Sequence, residues 1–481
     1  MDRRILVMVA VYIVIMSCFS VLKYESFSST ALDLGLYDNM VWQFSHFKYG
    51  FNTVGGHYPF ETHIMPILFL LVPFYWICQS PVTILIIQTV VIAFGALALY
   101  LIVINKLKSR ILATAFAAAY LLNPTIHYTN LFDFHSDALG ISFFLFAIYF
   151  IHREKWKLFG LFALLGGLTK EYAPLTITML GVYTFFLKRK KVIAAVAAAL
   201  GAAWFYANVF LSSLGKVVSH RYIGDFSWLG DNTREVIIRV LTRPDIVLLH
   251  LMNWDTALYL LLMLAPGLWL SVFAPEVLLL AAPSAALVLL HDSFSYTQVI
   301  THHNSFMMPF IFLAAVYGVV RYKNIAKKFR LPVFLRTNNS IAVAVIATAV
   351  IAYAAYGPFT ILYDAEDINP FSEQAKAARA MIKQIPEDAS VSAMTWAVPL
   401  LNHRDEIYTF PNPIYRKDYG REPWVTGYAG GEVDYVLINT ERKEPLMNES
   451  FRQEVTKFIL ESSSYEKISE NGGWVLLRKR E

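Results

Sequence analysis

Long apolar runs alternate with short polar loops along most of this chain. Residues 5–22, 82–104, 192–211, 257–273 and 341–356 are each long enough, or nearly so, to cross a hydrocarbon core of about 30 Å. They lack the strict apolar–polar alternation of barrel strands. The pattern predicts a polytopic membrane helical bundle. The first run is long and lacks an Ala-x-Ala site, so an uncleaved first helix is expected. Further crossings are expected at 111–123, 138–151, 157–169, 172–187, 276–290 and 306–320, for about eleven spans in all. The run 64–77 is short and contains Pro66 and Pro73. If it crossed, the basic run 106–110 would fall on the wrong side, so it is expected to be interfacial or re-entrant.

The pattern changes from Asp364 onward, where polar and charged residues mix with short apolar stretches. Helices are expected at 373–384 and 451–460, and strands at 390–394, 433–439 and 474–477. The expected architecture is an all-α membrane domain over 1–360 and a small C-terminal α/β domain over 364–481. An odd number of crossings places that domain outside the cytoplasm.

Composition agrees with the pattern. The 481-residue chain is 56% hydrophobic and only 16% charged, and its mean hydropathy is +0.47. The basic runs 2–4, 106–110, 153–157, 188–191 and 321–336 all fall on one side of the expected topology, which marks the cytoplasmic face. The net charge of +5 therefore reports topology and points to no nucleic-acid partner. Cys18 and Cys78 lie in apolar stretches and argue against a disulfide framework or a cysteine metal site.

Ionisable residues gather in the opposite loops, at 24–81, 123–137, 213–255 and 291–305, which suggests a site at that mouth. In the first loop, Asp33 and Asp38 are both candidates for a general base, because partial burial raises a carboxylate's pKa. Asp33 equally suits the N-cap of a helix beginning near Leu34. The same loop holds His57, Glu61 and His63, a mix of imidazole and carboxylate able to polarise each other. Asp133, His135 and Asp137 alternate, so an extended loop would aim all of them one way, toward a divalent ion such as Mg or Mn. They also suit the cap of the helix that follows. Lys170 and Glu171 sit between apolar runs, a costly place for charge unless it is paired or used. Arg221, His302 and His303 complete the set, with Arg221 suited to a bidentate clamp on phosphate.

At these residues the chain resembles the domain-of-unknown-function 2079 (DUF2079) family of archaeal and bacterial predicted membrane proteins. The resemblance lies in Asp-Leu-Gly-Leu-Tyr-Asp at 33–38, Glu-Thr-His-Ile-Met-Pro at 61–66, Phe-Asp-Phe-His-Ser-Asp-Ala-Leu at 132–139 and Leu-Thr-Lys-Glu-Tyr-Ala-Pro-Leu at 168–175. It extends through 302–309 and 385–391. Ser136-Asp137 stands where the family usually has Pro-Glu, and Tyr172 where it usually has a second acid. More distantly, the layout resembles GT-C glycosyltransferases such as protein mannosyltransferases and aminoarabinose transferases. Asp33 takes the place of their first-loop catalytic Asp, and Gly167-Leu168-Thr169-Lys170 is similar to their Leu-Thr-Lys-Gly stretch, with Glu171 at the Gly position.

The GT-C resemblance implies an inverting transferase at the outer membrane face, using a polyprenyl-phosphate sugar donor and a glycan, lipid or protein acceptor. Asp33 would act as base. Lys170, Arg221 and His63 or His135 would stabilise the phosphate leaving group, with a divalent ion at Asp133, His135 and Asp137 as a further option. The competing expectations are a transporter or flippase for a lipid or small anion, and a non-catalytic assembly protein. A transporter usually keeps its ionisable groups near the midplane, in broken helices.

Overall fold

The computed structural model describes residues 2–214, 224–293, 296–361, 368–415, 431–445 and 447–480. The chain is mostly helical, with a small sheet near its C-terminus. It forms two compact units. One comprises Met1–Met16, Glu61–Ile67 and Ile87–Leu362; the other comprises Ser17–Phe60, Leu68–Ile86 and Tyr363–Glu481.

The first unit is helical. Arg110–Leu121, Ser136–His152, Trp156–Gly167, Pro174–Lys188, Lys191–Leu214, Met308–Lys328 and Asn338–Tyr356 fall where apolar runs predict them. The expected runs 257–273 and 276–290 differ. The first divides into Trp254–Leu264, Ala265–Gly267, with Pro266 inside it, and Leu270–Phe273; the second starts at Pro275 and runs as Pro275–Leu278, Leu279–Ala281 and Ala282–Leu289. Among the described residues, four helices are long and apolar enough to cross a membrane: Arg3–Glu25, Pro81–Leu107, Lys191–Phe210 and Asn338–Tyr356. The bent pair Pro244–Leu251 and Trp254–Gly267 raises that to five. Val343, Val350 and Ile351 are exposed on one of these helices and Val7, Val11 and Val14 on another, as lipid-facing positions require.

Small residues set the closest helix approach. A Cβ on Gly181 would lie 2.5 Å from the Ala198 backbone nitrogen, and one on Gly201 would lie 2.6 Å from that of Thr178. Helices Pro174–Lys188 and Lys191–Leu214 therefore pack backbone to backbone, as Gly and Ala allow in an apolar solvent.

The second unit is built on a five-stranded sheet of order β2-β1-β3-β5-β4. Its strands are β1 (Val391–Ala393), β2 (Ile407–Thr409), β3 (Tyr435–Asn439), β4 (Tyr465–Asn471) and β5 (Trp474–Lys479). β1 is parallel to both β2 and β3, while β5 is antiparallel to β3 and β4. Val391, Val436, Leu437, Ile438 and Leu476 are fully buried at its centre. Helices Glu373–Ile382 and Glu449–Leu460 are N-capped by the side chains of Ser372 and Asn448. The second turns Phe451, Val455 and Ile459 inward at four-residue spacing.

Residues 24–60 and 68–81 of the first loop belong to this same unit, while Glu61–Ile67 belongs to the helical one. Residues Ala31–Gly35 form a π-helical turn that runs into the helix Leu36–Ser45. The run expected at 64–77 forms only the short helices Pro66–Leu70 and Val72–Tyr75.

Candidate functional site

In the helical unit, polar residues from well-separated loops converge. The loop 130–135 is held by a residue that the sequence reading did not single out. Gln88, fully buried inside the apolar helix Pro81–Leu107, donates to the carbonyls of Asn130 (3.1 Å) and Asp133 (2.9 Å) and accepts from the amide of His135 (2.7 Å). A lone amide in an apolar run was the available signal. Asp133 takes a left-handed backbone conformation at φ 85°, uncommon for a residue with a Cβ. His135 is the N-cap residue of Ser136–His152, and Asp137 lies in that helix's first turn. The loop is thus not extended, and the expected alternation of Asp133, His135 and Asp137 toward one ion does not occur. Among the described residues, no group of three or more His, Cys, Asp or Glu is placed to hold a metal ion. The triad does not fit a divalent cation.

Asp137 instead accepts from His302, Nδ1 to Oδ2, at 2.8 Å. Because the carboxylate accepts, Nδ1 carries the proton and Nε2 is the lone-pair nitrogen. The His302 ring stacks on His135 at 3.6 Å between centroids and touches His303 at 4.1 Å. Tyr296 continues the stack onto His303 at 4.1 Å. Burial pushes the His302 imidazole down to about 4, against the opposing pull of Asp137. His303 is lowered as well, by burial and then by its neighbour His302.

The third loop joins the same place. Ser136 Oγ donates to the carbonyl of Thr169 at 2.7 Å. The amide of Ile67 donates to the carbonyl of Leu168 at 3.0 Å. Glu171 accepts from His63 Nδ1 at 3.0 Å and from the amide of Ile64 at 3.2 Å. Its own carbonyl accepts from Asn208 at 2.8 Å. Burial lowers the pKa of His63, with Lys170 next in effect. Burial alone would raise Glu171, but His63 and Lys170 outweigh it and hold the carboxyl below its ordinary value. Lys170 is 4% exposed. Its charge acts on His63, Glu171, Asp137, His302 and His303. Lys170 is thus a buried ammonium whose charge is felt by two ionised carboxylates, Asp137 and Glu171, and by the imidazoles beside them. Glu61 is half-buried, two residues before His63.

The other candidates lie in the sheet-bearing unit. Asp33 sits within the π-turn, where it accepts from Thr30 Oγ1 at 2.7 Å, and is half-buried. Thr30, not Asp33, is the N-cap residue there, which corrects the cap reading. Asp38 is fully buried. It accepts from the Tyr75 hydroxyl, from Asn402 Nδ2 at 2.7 Å and from His403 Nε2 at 3.1 Å. Asp38 is therefore saturated, and Asp33 is the more accessible carboxylate. Asn402 and His403 were not singled out from sequence; a polar Asn-His-Arg-Asp run between apolar stretches was their signal. Arg221 lies outside the described residues.

The sequence profile of a family described as predicted membrane protein (DUF2079) matches residues 23–480. No curated protein matches the chain in sequence. Its fold is similar to that of ArnT from Cupriavidus metallidurans bound to undecaprenyl phosphate. Identity is 11%, 98% of this chain and 97% of that chain are covered, and the TM-score is 0.51. Against the apo state of ArnT the identity is 10%, the coverage 97% and 98%, and the TM-score 0.53. At such identities the likeness is one of fold alone.

Proposed function

The chain belongs to the DUF2079 family of predicted membrane proteins, and from that premise we infer that it transfers a sugar from a polyprenyl-phosphate carrier to an acceptor hydroxyl. The observation that carries this reading is the convergence on Lys170 of His63, Glu171, Asp137 and His302, drawn from separate loops of one unit. The undecaprenyl phosphate bound in the ArnT structure gives the class of carrier its support.

The chemistry divides as follows. Asp33 takes the proton of the acceptor hydroxyl. The acceptor oxygen bonds to the anomeric carbon with inversion, the bond from that carbon to the phosphate oxygen breaks, and the polyprenyl phosphate leaves. Lys170 stabilises the charge that develops on the phosphate, and the Nδ1–H groups fixed by Asp137 and Glu171 keep His302 and His63 oriented toward it. The cost of burying Lys170 is met in advance, so its field acts on the transition state without reorganisation. His303 lines the same place, and Arg221 remains a candidate phosphate clamp from the loop 213–255.

The topology proposed here rests on the charge rule: N-terminus cytoplasmic, about eleven crossings, and the loops and the sheet outside. The cell membrane is then the site of action, and the sheet-bearing part contributes to acceptor binding. The test is transfer of labelled sugar from a polyprenyl-phosphate donor by the protein in proteoliposomes. Wild type transfers; Asp33→Asn expresses, folds and does not. Full transfer by that variant removes Asp33 from the role.

A further inference from the structure

Within the sheet-bearing unit, the turn that carries Asp33 is held at both its ends by one distant stretch of chain. At its start, the amide of Ala31 donates to Thr395 Oγ1 at 3.0 Å, which satisfies an otherwise orphaned helix-terminal N–H. Thr395 is itself fully buried, and its amide donates to Glu444 at 3.1 Å. At the turn's end, a Cβ on Gly35 would meet Val398 at 3.2 Å and Pro399 at 3.8 Å, so the backbone is packed directly on that stretch. Asn402 Nδ2 then bridges the Gly35 carbonyl and Asp38 Oδ2. In return, Asn39 Nδ2 donates to the Asn402 carbonyl at 2.7 Å. His403 adds its bond to Asp38 and stacks on Trp42 at 5.9 Å, with the rings 7° from parallel.

A π-turn is rare and is sustained only where its surroundings over-determine it. Here the surroundings are residues 395–403, and the residue displayed between the clamps is Asp33. We propose that residues 395–403 are a positioning element for Asp33, with Thr395 and Asn402 as the positioning residues. This rests on the reading of Asp33 as the base. The C-terminal sheet, with β1 leading directly into this stretch, then acts in catalysis by setting the geometry of a residue more than 360 positions upstream.

The test uses the full-length protein in detergent and in proteoliposomes. Hydrogen exchange of the amides over residues 31–38 is measured in wild type, Thr395→Val, Thr395→Ser and Asn402→Ala. The expected result is faster exchange confined to that stretch in T395V and N402A, restored in T395S. Sugar transfer in the same variants is expected to fall about 10- to 100-fold in kcat for T395V, with KM for the lipid donor unchanged and T395S near wild type. Unchanged exchange over 31–38 in both T395V and N402A overturns the proposal whatever the activity. If wild type transfers no sugar, the reading of Asp33 as base fails. The exchange data then still decide whether 395–403 orders this turn. If exchange loosens while kcat holds, the clamp is structural and the positioning role is wrong.

Discussion

His302 Nδ1 lies 2.8 Å from Asp137 Oδ2, although 165 positions separate the two residues. Both are almost wholly buried, so the pair fixes the tautomer of His302 and the way its ring meets His135. The pH dependence follows from burial. His302 titrates near 4 in the folded protein and near its ordinary 6.5 when unfolded. Between those values the unfolded chain binds more protons, so stability is fully present above about 6.5 and falls as pH drops toward 4. The shift corresponds to about 3 kcal/mol. Thermal melting from pH 7.5 to 4 is expected to show this loss, with a shallower slope in His302→Phe. An equal slope in both proteins contradicts it.

Asp33 and Asp38 separate cleanly by experiment. Asp38→Asn leaves the Tyr75, Asn402 and His403 groups facing an amide in place of a carboxylate. A loss of about 1–3 kcal/mol is expected, because buried donors lose their acceptors. Asp33→Asn is expected to melt within 1–2 °C of wild type, about the effect of a substitution away from the core. A stable D38N protein with no transfer would exchange the two roles.

Gln88 holds the loop that presents His135 and Asp137. Gln88→Leu fits the apolar run but strips partners from the Asn130 and Asp133 carbonyls and the His135 amide. The expected outcome is a melting temperature several degrees lower and a weaker phosphate site, each partnerless buried group costing about 1–3 kcal/mol. Gln88→Glu keeps the acceptor for His135 and loses the donor, so it should weaken the loop less than Leu does. If Q88L melts and binds like wild type, the loop is held by other contacts.

Much of the fold was legible because apolar runs and helix caps are local signals. The helices Glu373–Ile382 and Glu449–Leu460 and the buried strands β1, β3 and β5 lie close to where their patterns place them. β2 and β4 were missed for opposite reasons. β2 has three residues, and β4 is an exposed edge strand carrying Glu466, Lys467 and Glu470, which protects the edge but erases the apolar signature. In the site, Lys170 and Glu171 were visible as charges between apolar runs, and His63 and Asp137 as ionisable residues gathered in loops. Their partners were not. The pairing of His63 with Glu171 spans 108 positions, and no spacing rule reports it. The left-handed Asp133 and the π-turn around Asp33 are backbone states that tertiary contacts impose, so the alternation at 133–137 and the expected cap at Asp33 both gave way.

The central claim is that the residues around Lys170 hold the phosphate of a polyprenyl carrier. The most direct measurement is the binding of undecaprenyl phosphate to the purified protein, by native mass spectrometry or thermal stabilisation, in wild type and Lys170→Met. Saturable binding to wild type, weakened at least about tenfold in K170M, is the predicted result, since a charge-assisted bond to phosphate contributes about 1.5–3 kcal/mol. Equal affinity in the two proteins, or no binding to wild type, would contradict the account.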